Sequence, residues 1–139
     1  MTRQIPGLSQ SSRTNTELPD GAYLSRVARV YYRWDKHKPF YIVHFEIVEP
    51  SVLSGRIFNG RLYATTKALW KLNWFLHDFG YDPELLGRDE IDERALRGLI
   101  GIVRIAHKTI DEHSVLNLEA FAPANRWNRP FASDGQEAA

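Results

Sequence analysis

Cationic and aromatic side chains crowd one stretch of the chain, residues 21–63, which holds Arg26, Arg29, Tyr31, Tyr32, Arg33, Trp34, Lys36, Lys38, Phe40, Tyr41, Arg61 and Tyr63. Those residue types suit a polyanion that carries flat rings. Guanidinium and ammonium groups meet phosphates, and aromatic faces accept stacked bases at about 1–3 kcal/mol each. The formal net charge of +1 conceals how the charge is distributed. Residues 21–75 carry nine Lys or Arg against three acids, whereas residues 76–100 carry seven acids against three bases. Segregation of this kind concentrates positive potential on one part of a small domain.

Catalytic chemistry finds no matching pattern. The absence of cysteine excludes disulfides, thiolate metal sites and cysteine nucleophiles. The five histidines, His37, His44, His77, His107 and His113, make no HExxH or comparable spacing. No glycine-rich phosphate loop or nucleophile elbow occurs. Asp82, Asp89-Glu90 and Asp92-Glu93 are placed where helix starts favour carboxylates, which accounts for them without a catalytic role. The expectation is a non-enzymatic protein with no catalytic residue, no metal site and no cofactor.

The elements that must position the cationic and aromatic residues follow from periodicity. The 139 residues suit one domain with flexible termini: a tail over 1–19, a folded unit over 20–122 and a second tail over 123–139. A first strand spans 22–34; its mixed parity implies a bend or bulge. In the second, residues 40–48, Tyr41, Val43, Phe45 and Ile47 alternate toward a core. The third, residues 56–63, turns Phe58 and Leu62 inward, and Gly60 in its middle implies a kink or a close backbone approach. Residues 65–79 form a helix capped by Thr65-Thr66 and stopped by Gly80, with Leu69, Leu72, Phe75, Leu76 and Phe79 on one stripe. Trp70 and Trp74 lie off that stripe near Lys67 and Lys71; burial against the sheet rim or the acidic segment is the expectation, an exposed aromatic surface the alternative. Two acidic helical turns follow, one begun by Asp82-Pro83. Two last strands cover 99–108 and 114–121, with Leu116, Leu118 and Ala120 inward on the latter.

Three strands, a helix and two strands is the order of the OB-fold, a five-stranded barrel of mainly β structure with one principal α-helix. Its outward face would carry Arg29, Tyr31 and Arg33 on the first strand, Phe40 and His44 on the second, and Arg61 and Tyr63 on the third. Trp34, Lys36 and Lys38 would sit in a loop over residues 34–39, with Lys108 across the barrel mouth. The ordinary alternatives are cross-strand ion pairs for the arginines and a covering role at the barrel end for Phe40.

Several short motifs in this order resemble phage-type single-stranded-DNA-binding proteins: Leu18-Pro19-Asp20-Gly21-Ala22-Tyr23, Phe45-Glu46-Ile47-Val48-Glu49, Ser54-Gly55-Arg56, Thr66-Lys67-Ala68-Leu69-Trp70-Lys71-Leu72 and Leu99-Ile100-Gly101. The resemblance covers about residues 18–121. It departs from that family in the first loop, where members tend to be rich in Lys, Ser and Gly. It implies sequence-tolerant binding of single-stranded DNA during replication or recombination. Partners are thus expected to be single-stranded DNA, with RNA and a homo-oligomer left open. No run approaches the roughly 18 apolar residues of a membrane span, and the expected setting is the cytoplasm of a bacterial or phage-infected cell. The competing class is a protein-interaction module on the same barrel, anchored by Trp34, Phe40 and Trp70.

Overall fold

Alternation of β-branched and aromatic residues drives the chain into five long antiparallel strands; the computed structural model describes residues 18–127, together with Thr2 and Gln4. The strands are β1 (Gly21–Asp35), β2 (Lys38–Glu49), β3 (Ile57–Tyr63), β4 (Ile100–Ile110) and β5 (His113–Pro123), in the sheet order β3-β2-β1-β4-β5. The two tails fall largely outside the described residues. Leu18, counted with the N-terminal tail on sequence, is part of the core, and the Tyr23 hydroxyl donates to the Pro19 carbonyl.

β1 serves two neighbours, and a bulge lets it do so. Its first half pairs with β4 from Gly21↔Ile105 to Arg26↔Ile100, and it pairs with β2 from Leu24 to the ribbon tip. The register with β2 jumps between Val27↔Phe45 and Arg29↔His44, so Ala28 is the extra residue. Before the bulge Tyr23, Ser25 and Val27 point into the core; after it Val30 packs against the core, the exposed Tyr32 shares its parity, and Arg29, Tyr31 and Arg33 turn to the other face. The β1–β2 register also shifts between Leu24↔Glu49 and Ser25↔Ile47, and a further bulge, between Arg104↔Ala120 and Ile105↔Leu118, makes a like switch in β5. It corrects the expected parity there: Leu118 and Phe121 are the buried pair, and Ala120 is not.

Behind the sheet lies the helix α1 (Leu69–Asp78), entered through a 3-10 turn, Thr66–Ala68. The Thr65 side chain makes no capping bond. The other end matches the glycine stop: Gly80 adopts φ +79°, its N–H bonds to His77 O, and the Tyr81 N–H reaches Leu76 O, a Schellman motif. Leu72, Phe75, Leu76 and Phe79 bury the stripe against Phe45, Phe58 and Phe121; Phe45 and Phe75 meet edge-on at 5.9 Å. Two short helices, α2 (Pro83–Gly87) and α3 (Glu93–Leu96), start where the acids cluster. Asp82 accepts from the Glu84 N–H at 2.8 Å and Asp92 from the Arg94 N–H at 3.0 Å.

The sheet curls until its two edge strands face each other without closing. A Cβ on Gly60 of β3 would lie 2.5 Å from Leu118 Cγ of β5, so glycine is what permits the approach. No hydrogen-bonded ladder joins β3 to β5. Among the described residues no helix is long and apolar enough to cross a membrane.

A candidate cationic and aromatic face on β1, β2 and β3

Strand register decides which candidates meet. On the face turned away from the core, cross-strand neighbours line up in three rows: Arg33, Phe40 and Tyr63; Tyr31, Ile42 and Arg61; Arg29, His44 and Asn59. Seven of the residues expected outward on sequence therefore share one surface. Lys38, paired with Asp35 at the end of the β1–β2 ribbon, has the parity of Phe40 and joins them. Ile42 and Asn59 complete the rows; strand alternation alone could have placed both there.

The side chains on this face are layered rather than separate. The Arg33 guanidinium lies over the Tyr31 ring, 5.1 Å from its centroid, and the Arg61 guanidinium lies 4.6 Å over Phe40. Arg29 donates to the Tyr31 hydroxyl and Arg61 to the Tyr63 hydroxyl, both at 3.3 Å. The hydrogen bond to Tyr31 holds the Arg29 guanidinium above its ordinary range. His44 meets Tyr31 edge-on at 5.5 Å, and Phe40 leans on Tyr63 at 5.2 Å. The outermost flat groups on Tyr31 and Phe40 are therefore guanidiniums, each supported by a ring beneath it. A planar ligand can stack on such a cation while its anionic groups meet the N–H edges. Two acids lie on this side of the sheet: Asp35 stands 4.0 Å from Arg61, and Glu46, two residues from His44 on β2, stands 3.8 Å from Arg26, both exposed pairs of small energetic weight.

Four expectations are corrected. Phe40 is only 4% exposed, because Arg61 and Tyr63 from β3 cover it; it is a support and not a free ring. The stretch 34–39 is not a loop but the end of a two-stranded ribbon, with Trp34 paired to Pro39 and a turn at Lys36-His37. Lys36 sits in that turn at φ +59°. Trp34, 62% exposed, has the parity of Tyr32 and Tyr41 and so lies on the opposite face of the ribbon; it meets Tyr32 edge-on at 6.2 Å. That side leads toward Glu93 and Tyr81, which lie near enough to Tyr41 to act on its hydroxyl. Burial first, then the Glu93 charge, pushes the Tyr41 hydroxyl up to about 12. Lys108 also stands apart from the rows. It lies 3.6 Å from Glu119 of β5, whose carboxylate also accepts from Asn117.

Between the edge strands runs an open cleft lined by Arg61 and Tyr63 on one side, Leu116 and Asn117 on the other, and Ala68 and Lys71 at its helical end. Half-burial lowers the Lys71 pKa, with Glu119 opposing that shift and Lys108 adding to it. Among the described residues no three His, Asp or Glu side chains gather as a metal site.

No protein-family model matches the chain, and no curated protein matches it.

Proposed function

We propose that this protein binds single-stranded nucleic acid, DNA in the first instance, through the outer face of β1, β2 and β3, without catalysis. The reading rests on one observation above the rest: register and the Ala28 bulge bring Arg29, Tyr31, Arg33, Arg61 and Tyr63 side by side, with two guanidiniums over rings. Sequence-tolerant binders need this pairing of cations with stackable planes, since every base has a ring face and every nucleotide a phosphate. In this reading Arg33 and Arg61 offer the planes on which bases stack while their N–H edges meet phosphates. Arg29 and Lys38 also meet phosphates, and Tyr31 and Phe40 support the guanidiniums of Arg33 and Arg61. The curled sheet is then a partly open OB-type barrel, with β3 and β5 as its unclosed seam, and the chain is one of the phage-type single-stranded-DNA-binding proteins. Replication or recombination is the setting such a protein would serve.

The test is a titration of oligo-dT at several salt concentrations. Each cation that neutralises a phosphate contributes about −0.7 to the slope of log K against log salt on a single strand. Arg29, Arg33, Lys38 and Arg61 together lead to a slope of about −3. The variant Arg33→Ala should flatten it by about 0.7 and weaken binding. Affinity that is undetectable at low salt, or unchanged by salt, overturns the proposal.

A further inference from the structure

The helix carries a second set of cations and rings that the sheet face does not use. Lys67, Trp70, Lys71 and Trp74 follow i, i+3, i+4, i+7 spacing and so share one side of the entry turn and α1, beside the buried stripe. Trp74 is braced: its Nε1–H donates to Asp78 Oδ2 at 2.9 Å and its ring stands at 90° to Phe121 of β5, 5.6 Å away. Trp70 stacks on Trp74, at 6.2 Å between centroids and 26° between planes, and is 64% exposed. An indole held flat against a fixed neighbour, with its other side open, loses little conformational freedom when a further ring stacks on it. Lys67 and Lys71 flank it with positive charge. The acids closest to this face are already engaged, Asp78 by Trp74 and His77, and Glu119 by Lys108 and Asn117.

The cleft between the edge strands links this helix face to the sheet. It has Arg61 and Tyr63 of the outer face at one side and Lys71 of the helix at its end. We infer that the path of a single strand continues from the β3 edge across this cleft to the helix, where Trp70 is a second base-stacking platform and Lys67 and Lys71 meet the phosphates on either side. The inference rests on the reading of the sheet face as a single-strand binder. It adds a separate station to that surface, so the protein should discriminate strands by length.

Oligo-dT of about 6 and about 16 nucleotides, the span covered by such domains, separates the two stations. With the full-length chain, Trp70→Ala should weaken the longer strand by about 5- to 150-fold, the equivalent of one lost stacked base, and leave the shorter strand unchanged. Trp70→Phe should keep most of the affinity for the longer strand, because a smaller ring still stacks. Tryptophan emission of the wild type should be quenched by the longer strand and not by the shorter, and Trp70→Phe should remove most of that quenching. Equal effects of Trp70→Ala on both strands, or none on either, overturn the inference while the sheet reading stands. A change in self-association with DNA affinity intact overturns it too and makes Trp70 a protein contact. Failure of the wild type to bind either strand overturns the sheet reading and this inference together.

Discussion

Gly60→Ala tests the approach of β3 to β5 without reference to any ligand. The added Cβ would lie 2.5, 2.7 and 2.7 Å from three carbons of Leu118. Carbon pairs rest at about 3.5–4.0 Å, so Leu118 would have to withdraw by about 1 Å. It is 2% exposed and packed within the core, so any withdrawal displaces its neighbours there. Overpacking of this kind costs about 1–3 kcal/mol. Against it stands the lower chain entropy of alanine in the unfolded state, about 0.4–1 kcal/mol where the native conformation accepts alanine. The expected net destabilisation is about 1–2 kcal/mol, read by urea denaturation, with Tm falling by roughly 4–15 °C for a domain of this size. Leu118→Ala alone should cost about 2–5 kcal/mol. Introduced on that background, Gly60→Ala should cost nothing further, so the double-mutant cycle should return a coupling of at least about 1 kcal/mol. A Gly60→Ala protein as stable as wild type, or costs that simply add, would refute the contact between the edge strands.

Other outcomes follow from single contacts. Gly80→Ala places a Cβ at φ +79° in the helix stop and should lower stability by about 1–2 kcal/mol in the same urea assay. Asp20 accepts from the His107 N–H at 3.0 Å and meets the His107 ring at 2.7 Å, and those hydrogen bonds hold its carboxyl below the usual range. A depressed folded-state pKa stabilises above the unfolded value of about 3.9 and loses that contribution as pH falls through the folded one. Asp20→Asn should therefore melt below wild type at neutral pH, with the gap closing under acid; a gap that is constant with pH would count against it. Trp34→Ala, on the other side of the ribbon from Arg33, should leave oligo-dT affinity within about twofold of wild type, well inside the loss expected for a stacked base.

Much of the architecture was readable because it is written in local periods. The α1 stripe, its Gly80 stop, the Asp82-Pro83 start and the alternation of Tyr41, Val43, Phe45 and Ile47 each depend on neighbours a few residues away. Gly60 also declared itself, since a glycine within an apolar strand has few other uses. The features that were missed depend on distant partners. Mixed parity in β1 announced a bulge, but only pairing with β2 places it at Ala28. Phe40 is buried by Arg61 and Tyr63, some twenty residues further on. Trp70 and Trp74 have the same residue type and the same helix face; what separates them is Phe121, which braces one and leaves the other open. Trp34 read as part of the basic cluster by proximity in the chain, while the ribbon's pleat carries it to the opposite side.

The bulge at Ala28 also sets how this surface tolerates change. Residues on the sheet face can be exchanged one at a time without changing which side their neighbours face. A single-residue deletion at Ala28 would remove the bulge and its bend, make Val27↔Phe45 and Arg29↔His44 consecutive pairs, and leave Arg29, Tyr31 and Arg33 on their side, whereas a deletion at Val30 would turn Tyr31 and Arg33 toward the other face. Ala28 thus marks a place in β1 where the length of the strand can change without reversing the faces of the residues after it, while the stretch that follows has no such slack.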